Sequence, residues 1–313
     1  MFGYILRRIL AVIPVMLLVA VFVFLLLRLT PGDPAAILAG DMTTPAKLER
    51  IREAMGLNEP LHIQFAKWIG QLARGDLGTS LISSTPVSSM IASRIGPTLS
   101  IGVLTILMSV ALAIPMGVLA AWKHRKGADY VVMTFSVLGF SVPVFVTGYI
   151  FILIFSLKLN WFPVQGYVPL SQGLGAFMTH AFLPALTLTT IYVALIARMT
   201  RANMLEVLGE DYIRTARAKG ASERRVLFRH ALKNAAVPIL TVIGTGFALL
   251  IGGVVVTETV FNIPGIGRLT VDAILARDYP VIQAMILLTS FLYVLVNLVI
   301  DLSYTFFDPR IRY

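Results

Sequence analysis

The 313-residue chain contains no cysteine, only four histidines, and 16 acidic residues against 26 lysines and arginines. Without cysteine there is no disulfide framework and no thiolate to serve as nucleophile or metal ligand, although compartment cannot be read from that alone. His62, His124, His180 and His230 are far apart and never spaced H-x-x-x-H, so the sequence offers no metal site. Gly followed directly by Lys occurs nowhere, which excludes a phosphate-binding loop of the Walker type. No run alternates with the period of two that a membrane β-barrel requires. The formal net charge of +10 does not mark a nucleic-acid partner, because no aromatic residues are interleaved with the cations as stacking platforms. The acidic pairs Glu49/Glu53 and Glu210/Asp211 read as solvated loop faces, and the twelve scattered methionines as packing filler.

What the chain has is apolar length. It is 57% hydrophobic and 13% charged, with mean hydropathy +0.84, outside the range of soluble domains. Six stretches approach or exceed the roughly 20 residues of helix that cross a bilayer core: Ile9–Leu29, Leu99–Trp122, Val131–Leu157, Thr179–Ala197, Pro238–Thr257 and Val281–Tyr304. The fourth is the shortest and is expected to continue as helix into the loop beyond it. The fold class is an all-α polytopic membrane protein with six transmembrane helices.

Charge sets the orientation. Arg7 and Arg8 precede the first stretch, Lys123, Arg125 and Lys126 crowd the second loop, and Arg310 and Arg312 follow the last. The fourth loop carries Arg198, Arg201, Arg214, Arg217, Lys219, Arg224, Arg225, Arg229 and Lys233. Sixteen of the 26 basic residues thus share one side, which places both termini in the cytoplasm. The N-terminal apolar stretch exceeds the usual signal-peptide core and is read as an uncleaved first helix.

The chain divides into residues 1–29, an external cap at 30–98, and a five-helix core at 99–313 that includes a cytoplasmic loop at 198–237. In the cap, Thr44 and Pro45 begin a helix that Gly56 closes, and a second helix from Pro60 to Gly75 places Leu61, Phe65, Trp68, Ile69 and Leu72 on one face. Pro264, Gly265 and Gly267 predict a tight external turn. Pro14, Pro115, Pro143 and Pro184 fall inside apolar stretches. Pro143, preceded by Gly139 and Ser141, is the best candidate for a bend bordering a path, or for a static packing feature. His180, Glu258 and Asp301 are the ionisable groups nearest the lipid core, and each is a candidate for the path or an interfacial group.

The most informative segment is Asp211–Pro238, DYIRTARAKGASERRVLFRHALKNAAVP. A helix over 211–219, a C′ glycine at Gly220, an N-cap at Ser222 and a second helix running to Pro238 make a basic helix-turn-helix. Ala216, Ala218, Gly220 and Ala221 are small enough to admit another surface close to the backbone. The plain alternative is a solvated loop whose arginines fix topology.

This segment resembles the cytoplasmic EAA loop of ABC-importer membrane subunits. Ala216, Gly220 and Leu232 match the general pattern, while Arg214, Thr215, His230 and Lys233 depart from it. Tyr212, Arg214–Gly220, His230, Ala231, Asn234, Ala235 and Pro238 match the form of the dipeptide/oligopeptide/nickel branch. TPGDP at Thr30–Pro34, GDLGTS at Gly75–Ser80, FNIPGIGRL at Phe261–Leu269 and RDYPVIQA at Arg277–Ala284 resemble its B-type permease subunit. The resemblance implies alternating access driven by ATP, with no cofactor in this chain and ATP and magnesium held by separate ATPase subunits. It also implies a homologous second permease subunit, two ATPase subunits, an external substrate-binding protein, surrounding membrane lipid, and residence in the bacterial inner membrane. Arg214, Thr215, Ala216, Arg217, Ala218, Lys219, Gly220, Ala221, Arg224 and Arg225 are then the residues expected to couple to the ATPases. The substrate implied is a peptide. A nickel or glutathione permease of the same architecture is the nearest alternative; an ion-coupled secondary transporter and an intramembrane enzyme are alternatives of other classes. The first of these lacks a convincing inverted repeat, and the second lacks a buried nucleophile or metal constellation.

Overall fold

The computed structural model describes residues 2–29, 35, 44–54 and 56–307. The Thr30–Pro34 stretch and the arginines at 310 and 312 lie outside the described residues. Among the described residues the chain is helical, with one isolated bridge between Thr79 and Pro86 and no strand. The helices are α1 (Phe2–Leu29), α2 (Pro45–Ala54), α3 (Leu61–Ala73), α4 (Val87–Trp122), α5 (Gly127–Ser141), α6 (Val144–Phe151), α7 (Leu174–Leu208), α8 (Asp211–Ala218), α9 (Glu223–Arg225), α10 (Leu232–Val260), α11 (Ile266–Ala276) and α12 (Tyr279–Phe307). Two widened, π-helical stretches extend α6 (Ile152–Lys158) and join α9 to α10 (Val226–Ala231).

Four segments among the described residues are long and apolar enough to cross a membrane: Val87–Trp122, Leu174–Leu208, Glu223–Phe247 and Tyr279–Ser303. The pair Gly127–Ser141 and Val144–Lys158 would make a fifth, bent by 104°. The break falls where the sequence put it. Val142, ahead of Pro143, is extended (φ −86°, ψ 125°) because the proline ring disfavours helical backbone in the residue before it. Pro14, Pro115 and Pro184 instead sit inside unbroken helices. Pro238 likewise fails to end a helix, contrary to expectation: α10 runs through it. Losing one ladder hydrogen bond is tolerated there because Ala235 and Ile239 on either side are buried in the bundle.

α7 is the most buried of the spanning segments. Its 35 residues reach about 52 Å at ~1.5 Å per residue, longer than a ~30 Å hydrocarbon core, and it continues as helix past Ala197 into the basic loop as expected. Its neighbours approach through small residues. A Cβ on Gly117 of α4 would lie 2.7 Å from the Ala197 carbonyl oxygen, and one on Gly139 of α5 would lie 2.9 Å from that of Thr190. On the α10 side, Gly253 meets Leu188, and Tyr192 Oη donates to the Gly246 carbonyl at 2.9 Å. Close backbone approach is the principal source of helix association where water supplies no hydrophobic drive.

A second core forms where Val23 of α1, Val87 and Ile91 of α4, Leu269 of α11 and Met285 of α12 meet. Helix α3 packs beside it. Phe65 and Trp68 of α3 set their rings 5.3 and 5.7 Å from that of Phe24 on α1, using the predicted apolar face, although Leu61 stays 47% exposed.

Candidate functional site

The end of α7 leads into a two-armed elbow. α8 follows an N-cap at Glu210, carrying Asp211 in its first turn and Arg217 in its last, each suited to the helix dipole. Ile213 is fully buried, and Tyr212 Oη accepts from Asn234 Nδ2 at 3.0 Å while that amide also donates to the His230 carbonyl at 2.8 Å. α8 is therefore seated on the start of α10. The chain then reverses. Gly220 N–H donates to the Arg217 carbonyl at 2.9 Å and Ala221 N–H to the Ala216 carbonyl at 3.1 Å, the two bonds of a Schellman turn. Gly220 has φ +81°, where a Cβ collides with its own backbone, yet a Cβ there would meet nothing within 4 Å among the described residues. The glycine serves conformation, not space.

Across this turn the Arg217 guanidinium forks onto the Glu223 carboxylate at 2.8 and 3.3 Å, bracing one arm against the other. Ser222 stands at the N-cap position, but its hydroxyl makes no capping bond among the described residues. The second arm is anchored by buried Val226, Leu227 and Ala231. Outward the elbow presents Thr215, Ala218, Lys219, Gly220, Arg224 and Arg225, all exposed, with Ala216 and Ala221 half-buried. Tyr212 and Phe228 are 43% and 50% exposed on the same element. Arg214 meets Asp211 at 3.1 Å in solvent. Lys219, Arg224 and Arg225 carry no ion pair among the described residues. The result is a rigid, cationic, partly apolar knob on a buried base.

A family profile described as "Binding-protein-dependent transport system inner membrane component" matches residues 113–313, and its N-terminal companion matches residues 1–102. The chain belongs to this family. Within it, a probable peptide ABC transporter permease protein of Sinorhizobium fredii is 56% identical over 99% of both chains. A putative peptide transport system permease protein of Brucella abortus is 47% identical over the whole of both, and the glutathione transport system permease protein GsiC of Salmonella choleraesuis 44% identical over the whole of both. Among solved structures, a chain of the MetNI methionine ABC transporter in an inward-facing conformation shares the fold, with TM-score 0.59 and 17% identity over 71% of this chain and 97% of that one. This permease is thus a multi-pass inner-membrane subunit of a binding-protein-dependent transport system.

The other residues singled out from the permease's sequence lie elsewhere. Pro143 borders a 370 Å³ cavity lined with Phe140, Ser141, Leu188, Tyr192 and Gly253. His180, in the second turn of α7, turns its Nδ1 to the Ala176 carbonyl at 3.0 Å. Asp301 pairs with Arg8 at 2.9 Å and ties α12 to α1. Glu258 is completely buried: it accepts the Thr98 hydroxyl and, at 2.8 Å, Arg268 N–H, so a carboxylate at the end of α10 caps α11. This revises the reading of the FNIPGIGRL turn. Gly265 is at φ −102°, and a Cβ on it would lie within 2.5 Å of the Glu258 carboxylate; one on Gly267 would lie 2.7 Å from Val255 Cα. Those glycines make room for Glu258 and α10, and the left-handed residue of the turn is Asn262.

Two buried carboxylates escaped the sequence. Asp278 accepts Ser80 Oγ and, at 3.0 Å, Leu81 N–H, joining the GDLGTS and RDYPVIQA stretches. Asp129 in α5 receives the Arg201 fork from α7 together with Arg125 N–H. Each acid is the one carboxylate beside a run of apolar residues, a faint signal that only the fold turns into a partner.

Proposed function

We propose that the chain is the B-type permease subunit of an ATP-driven peptide importer. A homologous second permease subunit completes the translocation path, an external binding protein delivers the substrate, and two separate ATPase subunits supply the ATP hydrolysis. α1 and the bent α5–α6 pair complete a six-span topology with both termini cytoplasmic, and the cap of residues 30–98 faces outward, in keeping with the distribution of lysine and arginine.

The observation that carries the reading is the elbow. A helix seated by Ile213 and the Tyr212–Asn234 bond, turned by Gly220 and braced by Arg217–Glu223, transmits displacement where a flexible loop would absorb it. Exposed Lys219, Arg224 and Arg225 offer cations to acidic groups around an ATPase groove, and exposed Tyr212 and Phe228 offer rings to its apolar floor. Of the four path candidates, Pro143 keeps that role, since its bend opens onto a cavity. Glu258 and Asp301 tie helices together, and His180 sits at the external edge of α7. The peptide assignment draws on the two full-length peptide permease relatives. The GsiC relative favours a second reading of the same chemical class, because glutathione is itself a tripeptide.

The test is a pull-down of the tagged permease from detergent-solubilised membranes, with ATP hydrolysis assayed on the eluate and uptake assayed after reconstitution. ATPase subunits are expected to copurify, and Gly220→Trp is expected to uncouple hydrolysis from uptake while the protein remains in the membrane. Normal coupled uptake by that variant would remove the elbow from the mechanism, and an eluate without ATPase would remove the importer assignment.

A further inference from the structure

Whatever moves the elbow must reach the helices that border the path. Past Arg201 α7 is held by apolar packing alone, with Met204 fully buried and Leu205, Val207 and Leu208 against the core, and the level at which a charged clamp ties it to a neighbouring helix is Ala197–Arg201. Gly117 of α4 packs there against Ala197 and Thr200, and Arg201 reaches across to α5. Arg201 Nε and Nη2 both engage the Asp129 carboxylate, the second at 2.8 Å. Asp129 is 2% exposed and its remaining capacity is filled by Arg125 N–H at 2.9 Å. His124 Nδ1 lies 3.2 Å from the carboxylate and 3.1 Å from Arg201 Nη2, so the α4–α5 turn closes over the pair. Such a fork has one geometry, whereas the apolar contacts above it permit sliding.

α5 presses the same face on α7 along its length. Asp129, Val132 and Ser136 are buried on successive turns, and Gly139 meets the Thr190 backbone. Among the described residues the Asp129–Arg201 pair is the ion pair that fixes α5 to α7, and it stands at the elbow end. At the far end of α5 the chain turns by 104° into α6 beside the cavity at Pro143. A buried ion pair is weak evidence for stability, and its best-attested service is to specify one register between helices.

We propose that Asp129 and Arg201 are positioning residues of the transport cycle, locking α5 to the elbow end of α7 so that displacement of the elbow is delivered to the bend at Ser141–Pro143. The inference rests on the coupling role assigned above to the elbow. It asks nothing of the substrate: neither residue touches the cavity.

The absence of cysteine makes the test direct. Tyr130→Cys on α5 and Glu206→Cys on α7, both exposed positions, give this subunit two thiols for a spin-label pair that spans the clamp. The assembled transporter, reconstituted with its ATPase subunits, is measured nucleotide-free and with ATP trapped. With the clamp intact the distance distribution should be narrow and the same in both states. With Asp129→Asn, and separately with Arg201→Lys, it should broaden and differ between states. Peptide taken up per ATP hydrolysed should fall about tenfold, the ordinary scale of a coupling between two sites, while the ATPase subunits still copurify. An unchanged distribution in Asp129→Asn, or undiminished coupling in both variants, would overturn the proposal. Loss of assembly in both variants would also overturn it, by reducing the pair to scaffold. Failure of the elbow assignment is separable, because Gly220→Trp on an intact clamp tests that assignment and leaves the label distances to judge the clamp.

Discussion

Gly265→Ala is the smallest change with a large expected consequence. The Glu258 carboxylate is held by the Thr98 hydroxyl and by Arg268 N–H at 2.8 Å, and Thr98 Oγ1 in turn accepts Ile266 N–H at 2.9 Å. An alanine Cβ at position 265 would come within 2.5 Å of the carboxylate, against 3.4–4 Å for an ordinary contact. The acid must therefore retreat by well over an ångström, which breaks its bond to α11 and strains the one to Thr98. Hydrogen bonds to charged groups contribute about 1.5–3 kcal/mol each, so a loss of about 3 kcal/mol is expected. No helix propensity offsets it, since Gly265 is an extended N-cap residue. Gly252→Ala in α10 is the control: a Cβ there meets nothing within 4 Å among the described residues, and alanine should be neutral or stabilising by up to about 1 kcal/mol. Thermal unfolding of the detergent-solubilised protein reads both. The decisive experiment is the cycle with Glu258→Ala. If the clash is with the carboxylate, Gly265→Ala should add little once the carboxylate is gone. An undiminished penalty in the Glu258→Ala background would refute the reasoning and place the conflict in the backbone.

Further outcomes follow from the same geometry. Asp278→Ala should leave Ser80 and Leu81 N–H without their acceptor, cost about 1–3 kcal/mol, and speed limited proteolysis between Gly75 and Pro86 relative to the rest of the chain. Gly117→Val should force α4 away from the Ala197 carbonyl, with an overpacking cost of about 1–3 kcal/mol, seen as a lower yield of folded protein and a lower unfolding temperature. Arg214→Ala removes an ion pair held in solvent and should change stability by no more than about 0.5 kcal/mol; any transport defect it causes, measured as uptake per ATP hydrolysed, then reports a contact outside this chain.

The features that could be read from the sequence are those fixed by local rules. The Gly220 turn needs only a left-handed residue after a helix, and the break at Pro143 only the effect of proline on Val142. The amphipathic face of α3 needs only the helical period. What could not be read depends on residues far apart in sequence. Thr98 meets Glu258 across 160 residues, Ser80 meets Asp278 across 198, and Arg201 meets Asp129 across 72. From sequence Arg201 reads as one more topology-setting cation, because its partner sits on another helix. Gly265 and Gly267 read as a turn because glycine serves conformation and space equally well, and local sequence does not tell which. Pro238 reads as a stop because helix interiors normally reject proline; burial of the flanking residues outweighs that preference.

The placement of the strong interactions has a mechanical consequence. Asp129–Arg201 lies at one end of the α4–α7 and α5–α7 contacts, and Glu258–Thr98 joins α4 to α10 and α11 beyond the other end. Between them the helices touch largely through Gly139 and Gly253 and through buried Thr105 and Ser109, whose hydroxyls have no hydrogen-bond partner among the described residues, while a neutral hydrogen bond from Tyr192 Oη to the Gly246 carbonyl ties α7 to α10 there. A glycine or a small hydroxyl in contact with a backbone has little directional preference, so displacement along the helix axis costs little there. A forked guanidinium–carboxylate pair has a strong one. The bundle is thus stiff at its two faces and permissive at mid-depth, next to the α5–α6 bend and its cavity. For a permease that must open its path to one side at a time, that distribution lets the ends act as rigid handles while the middle changes shape.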